Sequence, residues 1–303
     1  MELVVRLGRD HTRSGHLVAA DYQLRPGGRA VNQAMAAARL GCKTALLGAL
    51  GDDWFGQTIT GELVRAGVDL GAVRSVADCR TGLALTQLDE SGEGATLVHR
   101  GANERMDSAA IEACGPVIAQ SSHLLVSLDL PLEAVSTAIS VAHEMGVRII
   151  LDPVPAHPLP ASILRKVTVI VPNENEVMNL SGLEVSGQTS ALAACRELLD
   201  WGVGAVVLKM AGEGAMVVTG QGTVRVPAVP VRAVDRSVAG DVFAGALGCA
   251  LVEGADLPEA VEFANYAAAL ATTRRGLLEA MPTRAEVEAL RRERKADADP
   301  SAP

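Results

Sequence analysis

Residues 235–243, Asp-Arg-Ser-Val-Ala-Gly-Asp-Val-Phe, join a polar turn to an Ala-rich apolar segment that runs from Val242 to Val252. The pattern predicts a buried helix that begins near Ala239-Gly240-Asp241. A helix N-terminus leaves backbone N–H groups free, and such groups hold anions. Asp241 stands beside that anion seat. Phosphoryl transfer to a hydroxyl needs this pairing: a carboxylate takes the hydroxyl proton, and the N–H groups offset charge on the transferred phosphoryl. Asp is also a favoured helix cap, so the stretch alone suits a purely structural role as well.

The elements that must position Asp241 can be read from a repeat. A helix, a Gly and a short apolar strand recur: Arg39-Leu40-Gly41 before Thr44–Leu50, Arg65-Ala66-Gly67 before Val68, Glu144-Met145-Gly146 before Val147–Leu151, and Asp200-Trp201-Gly202 before Ala205–Leu208. Gly ends a helix readily in the left-handed conformation. The alternation predicts a mostly parallel sheet covered by helices on both faces. Polar residues stand at the strand ends: Asp129 after His123–Leu128, Asp152 after Val147–Leu151, Asn173–Glu176 after Val167–Val171, and Lys209 after Ala205–Leu208. Open α/β sheets bind ligands outside the carboxyl ends of their strands, so these residues are expected to converge with Asp241. Residues 81–88 and 95–99, joined by a polar loop, read as a hairpin. With strands in 3–7 and 17–24 they are expected to form a small antiparallel lid over the site.

Composition narrows the classes. The 303 residues are 49% hydrophobic with a net charge of −9, enough for a large core and without a nucleic-acid footprint. The one basic cluster, Arg291 to Lys295, is short and mixed with acid. Aromatics are 2%, too few for stacking platforms. Five cysteines show no metal spacing and no CxxC pair, which fits a reducing compartment. No signal segment or membrane-spanning run is visible. The expectation is a cytoplasmic α/β protein: one domain over residues 1–290, a lid from about 3–24 and 81–100, and a disordered tail over 291–303. The two common nucleotide loops, G-x-G-x-x-G and G-x-x-x-x-G-K-[ST], are absent, as are G-x-S-x-G and H-E-x-x-H.

Across essentially its whole length the chain resembles the ribokinase-like (PfkB-type) carbohydrate kinases. Pro26-Gly27-Gly28-Arg29-Ala30-Val31-Asn32-Gln33-Ala34 is similar to the family's PGGKGANQA signature, and Asp235 to Phe243 to its DTTGAGDTF signature. Gly101-Ala102-Asn103, Asp152-Pro153-Val154-Pro155-Ala156 (family NPAPA), Asn173–Glu176 (family NxxE) and Phe263-Ala264-Asn265 follow in family order. The resemblance implies a Rossmann-like fold and ATP-dependent phosphorylation of a sugar hydroxyl, with D-ribose to ribose 5-phosphate as the first expectation. Alternatives are a kinase for another sugar or nucleoside, and a weak or inactive homologue that binds sugar or nucleotide.

Roles follow from the resemblance residue by residue. Asp241 matches the catalytic base, and Ala239 and Gly240 match the anion hole. Gly28, Asn32, Asp129 and Glu2 match sugar contacts. Asn173, Lys209, Gly214 and Asn265 match the nucleotide site, and Glu176 the acid that organises Mg²⁺ through water. Asp235, Ser237 and Ala280 match a monovalent-cation loop, which implies K⁺. A homodimer through the lid is implied as well. Simple structural work suits several of the same residues: Asn173 and Glu176 have capping-box spacing, and Asn265 suits a satisfied core amide.

The chain also departs from the family pattern. Val238 and Arg236 replace a small residue and a Thr beside the base, and Val238 is expected to strain the turn or crowd the phosphoryl. Ala211 replaces a Gly of the nucleotide loop. Leu277 and Ala280 replace small residues of the cation loop. Arg29-Ala30 replaces Lys-Gly. Met1-Glu2 stands about where the family's first strand ends, which puts Glu2 at the place of a sugar-binding Asp on a mobile terminus. A misplaced start, a shortened chain and a degenerate paralogue all account for this. One strand fewer inside a parallel sheet would leave backbone groups unpaired.

Overall fold

The computed structural model describes residues 1–7, 19–89 and 94–298. The chain between the first two strands, most of the 89–94 loop and residues 299–303 lie outside the described residues.

The chain opens with β1 (Glu2–Leu7), β2 (Ala19–Arg25), α1 (Arg29–Arg39), β3 (Ala45–Gly51), α2 (Trp54–Ala66), β4 (Asp69–Val76), β5 (Leu83–Leu88) and β6 (Gly94–His99). Then come α3 (Ser108–Ala113), α4 (Gly115–Ala119), β7 (His123–Ser127), α5 (Leu132–Glu144), β8 (Arg148–Asp152), α6 (Ala161–Leu164), β9 (Val169–Ile170), α7 (Glu174–Ser181), α8 (Gln188–Asp200) and β10 (Ala205–Lys209). The chain closes with β11 (Ala215–Thr219), β12 (Gly222–Val226), α9 (Ala239–Val252), α10 (Leu257–Thr272) and α11 (Arg284–Ala298).

The main sheet runs β12-β11-β10-β9-β8-β7, parallel from β7 to β10 and antiparallel at its β11 and β12 end. Successive side chains of a strand point to opposite faces. In β8, Ile150 faces a core shared with α1, α9 and α10, while Ile149 and Leu151 face a second core under α5, α7 and α8. The strands therefore read as unbroken apolar runs, as covered parallel strands must. The glycine stops behave as expected: Gly67 ends α2 with φ +82, and Gly41, Gly146 and Gly202 are left-handed too.

β3 and β4 form a separate parallel pair. Among the described residues, nothing pairs with the second edge of β3 or of β7. Leu47, Leu50, Leu124, Leu125 and Val126 on these strands are only half-buried, although helices cover both blocks.

The lid is a four-stranded sheet in the order β2-β1-β5-β6. Its expected antiparallel character is corrected at the centre, where β1 and β5 run parallel, from Glu2 opposite Ala84 to Arg6 opposite Leu88. The long crossover through α1, β3, α2 and β4 between them permits this pairing. The start of the chain is not loose either. The Met1 ammonium donates to Gly82 O at 2.9 Å, and the Met1 side chain is buried.

The expected disordered tail is helical through Ala298. Arg291 pairs with Glu262, and Arg294 Nη2 donates to Pro230 O at 2.9 Å, so the basic cluster is spent on tying α11 to the body. No described helix is long and apolar enough to cross a membrane.

Candidate active site

α9 is apolar on all sides and buried between α1 and α10. Its approach to α1 is set by Gly245, where a Cβ would lie 2.6 Å from Gln33 O. That close crossing brings Asn32 and Gln33 to the first turn of α9. Asn32 Nδ2 donates to Asp241 Oδ2 at 2.7 Å, and Gln33 Nε2 lies 3.4 Å from Asp241 Oδ1. Asp241 is 8% exposed. Burial pushes its carboxyl up to about 7; Asp152 raises it further, whereas the Asn32 hydrogen bond and Arg29 pull it down. A carboxyl poised near neutrality is suited to accept a proton. Asn32 Oδ1 is buried without any hydrogen-bond partner. A buried orphan acceptor is costly, and a ligand hydroxyl would satisfy it.

Backbone N–H groups complete the anion seat. Among the described residues, neither the Gly240 nor the Asp241 N–H meets a backbone acceptor, and Gly240 borders open space. The strain expected from Val238 is absent. Its φ of −106° suits any residue, and its side chain is 2% exposed within the apolar core. Arg236 is exposed.

The strand ends converge as expected. Asp152, at the end of β8, accepts from Gln33 Nε2 at 2.8 Å and from Lys209 Nζ at 3.0 Å. Lys209, at the end of β10, also lies 3.7 Å from Glu176 Oε2. An isolated parallel bridge joins Asn173 to Lys209. Asn173 and Glu176 do form a capping box on α7: Asn173 N and Nδ2 each donate to Glu176 at 2.7 Å, and Glu176 N donates back to Asn173 Oδ1 at 2.9 Å. Burial raises the Glu176 carboxyl, with Lys209 opposing. Asp129, after β7, accepts from Ser127 Oγ at 3.1 Å and sits 3.5 Å from Arg29 Nε, and burial raises its carboxyl as well. Gln33 and Asp152 carry the chain of contacts from Asp241 to Lys209. Both lie inside the signature runs, but only their side-chain directions reveal the link.

Glu2 is held in place. Its carboxylate accepts from Arg25 Nε at 3.0 Å and from Gly28 N at 3.3 Å, and a Cβ on Gly27 would fall 2.5 Å from Glu2 Cδ. Gly28 caps α1 at φ +116°, a conformation side chains resist. Arg25 Nη1 donates to Ser237 Oγ at 3.3 Å, which ties the lid strand to the turn before α9.

The remaining positions are less concentrated. Gly214 has φ +94°, and a Cβ there would fall 2.2 Å from Val226 O. Ala211 sits at φ +46°, so this position does require the left-handed backbone that a glycine adopts freely. Asn265 is buried and spends its amide on Val226 O and Pro227 O. Asp235 Oδ1 accepts from Ser237 N at 2.9 Å, whereas Ala280 is buried in the core; no hydrogen bond links it to that turn among the described residues. No cluster of three or more His, Cys, Asp or Glu side chains suits a metal among the described residues. A cavity of about 350 Å³ lies between Arg225–Pro230 and the α10 side chains Glu262 and Tyr266, and it shares no residue with the Asp241 network.

Comparison with known proteins identifies the family. The profile of the pfkB family carbohydrate kinases matches residues 2–284. Ribokinase of Haemophilus influenzae is 34% identical over 270 residues, covering 89% of this chain and 88% of its own. Deoxyribokinase of Salmonella typhi is 31% identical over 268 residues, with 88% of each chain covered. The structure of Arabidopsis thaliana ribokinase complexed with ribose and ATP superposes with a TM-score of 0.86 at 27% identity over 95% of each chain. The chain belongs to the pfkB family of carbohydrate kinases, ATP-dependent enzymes that phosphorylate a sugar hydroxyl.

Proposed function

We propose that this kinase transfers the γ-phosphoryl of ATP to the 5-hydroxyl of D-ribose, with Asp241 as the base. The observation that carries the reading is the Asn32–Asp241 pair: a buried carboxyl raised to about 7, held at 2.7 Å by an amide whose oxygen has no partner. A sugar bound here donates one hydroxyl to Asn32 Oδ1 and presents the reacting one to Asp241. As the sugar oxygen bonds to phosphorus, its proton passes to the Asp241 carboxylate and the bond to the β-phosphate oxygen breaks. The N–H groups of Gly240 and Asp241 offset charge on the phosphoryl while it is between the two oxygens. Burial of Asp241 excludes bulk water as a competing acceptor. Gly28, Asp129 and Glu2 are the remaining sugar contacts.

Asn173, Lys209, Gly214 and Asn265 form the nucleotide side. The Glu176 carboxylate, beside Lys209 and Asn173 at the strand ends, fits a water shell around Mg²⁺. That ion supplies charge neutralisation on the phosphates. Asp235 and Ser237 are the candidates for a K⁺-binding turn. The exposed apolar side chains Tyr22, Leu97 and Val98 on the lid favour a homodimer through that sheet.

A second reading, 2-deoxy-D-ribose as acceptor, is favoured by Glu2. Its carboxylate is already engaged by Arg25 and Gly28 N, which leaves less capacity for a sugar 2-hydroxyl. Coupled ADP release with D-ribose, 2-deoxy-D-ribose and adenosine, at fixed ATP and Mg²⁺, separates the readings. The primary proposal expects kcat/KM highest for D-ribose. Preference for the deoxy sugar replaces it with the second, and turnover with none of the three sinks both.

A further inference from the structure

At the end of α1 opposite the site, the chain turns through Gly41 into Cys42, whose N–H donates to Ala37 O at 3.0 Å. Cys249 lies on the α9 surface that faces this turn, with its Sγ 3.9 Å from Leu40 O. Cys42 packs against the apolar core that contains Cys249. Cys249 is 1% exposed, while Cys42 is half-buried and open to small solutes. Arg284 completes the cluster: its Nη2 lies 3.3 Å from Cys249 Sγ, its Nε donates to Leu40 O at 2.8 Å, and it pairs with Glu253. The Cys249 side chain, helped by Arg284, lowers the Cys42 thiol to about 7 against burial and Glu253, while Cys249 is raised. A low, accessible thiol backed by a second thiol is the arrangement of a resolvable redox pair. Burial raises the Cys114 thiol and pushes that of Cys195 up to about 12.

We infer that Cys42 and Cys249 form a peroxide-sensitive dithiol that closes to an intramolecular disulfide, joining the ends of α1 and α9 remote from Asn32 and Asp241. The Cys42 thiolate attacks one oxygen of hydrogen peroxide, the O–O bond breaks, and the departing hydroxide takes up a proton as water. The resulting sulfenic acid is then attacked at sulfur by Cys249. The S–S bond forms, the S–O bond breaks, and a second water leaves with the Cys249 proton. One peroxide is reduced to two waters while two thiols are oxidised. The inference does not depend on which sugar is phosphorylated.

The test treats the reduced full-length protein with an equivalent of hydrogen peroxide, counts thiols after denaturation, and maps peptides without reductant. The expected result is loss of two of the five thiols, a peptide pair cross-linked through Cys42 and Cys249, and full reversal by dithiothreitol. In Cys249→Ser, dimedone should trap a sulfenic acid at Cys42. Retention of all five thiols, oxidation of Cys42 to the sulfinic acid with Cys249 still free, or a cross-link through Cys79 would each overturn the inference. The wild-type peptide map decides the matter even if the variant does not fold.

Discussion

Asp241→Asn separates the cost of a buried charge from its use. The native carboxyl is raised from 3.8 to about 7 by burial. A raised acid binds a proton in the folded state that the unfolded chain has already released. Stability attributable to this group therefore falls as pH climbs from about 4 to about 7, and is level above that. Roughly 3 pH units at about 1.36 kcal/mol each give an upper bound of about 4 kcal/mol. The amide nitrogen that the variant introduces faces Gln33 Nε2, a donor against a donor, which returns on the order of 1 kcal/mol. The variant should thus be about 2–4 kcal/mol more stable than the parent at pH 8 and nearly equal to it at pH 4.5. Urea denaturation of both proteins at both pH values measures this. A variant less stable at pH 8, or a difference that ignores pH, would refute the account of Asp241 as a strained, buried carboxyl.

Other perturbations follow from the same geometry. Activity should rise with pH through about 7 as Asp241 ionises, and Asp152→Asn should move that limb to lower pH, because Asp152 raises the Asp241 carboxyl; an unmoved limb in kcat/KM profiles would remove Asp152 from the proton account. Val238→Gly, which restores a small residue beside the base, should cost about 2 kcal/mol of stability by deleting a core side chain. It should not speed turnover, since the native φ is already relaxed; a faster variant in steady-state assays would show that Val238 does crowd the phosphoryl. Ala211→Gly should stabilise by about 0.5–1 kcal/mol by relieving the left-handed alanine, and a lower midpoint in thermal melts would contradict that.

Much of this site was legible because its residues stand at boundaries. Asp241 follows a turn and opens an apolar run; Asp152, Asn173 and Lys209 end strands. Such positions are fixed along the chain by periodicity and stop signals, so their convergence follows from the sheet. Contacts across the fold were not legible. Gln33 as a bridge between Asp152 and Asp241 depends on how closely α1 crosses α9, which a single glycine, Gly245, decides. The direction of Val238 is of the same kind: a β-branched residue in a small-residue motif reads as obstruction until the turn is seen to point it into the core. The parallel β1–β5 pair was hidden because hairpin spacing is a local signal and this pairing is not. The helix through residues 291–298 was hidden because its ties, Arg291 to Glu262 and Arg294 to Pro230 O, reach residues far away in sequence.

The central claim is that Asp241 takes the proton of the sugar hydroxyl during phosphoryl transfer. The most direct measurement is sugar-dependent ADP release by Asp241→Ala beside the parent, at saturating ATP and Mg²⁺, with folding checked by melt. The account predicts a fall in kcat of about 10²–10⁴-fold, the range for loss of a positioned general base, with sugar still raising the melting temperature of the variant. A folded variant that turns over within tenfold of the parent would contradict it.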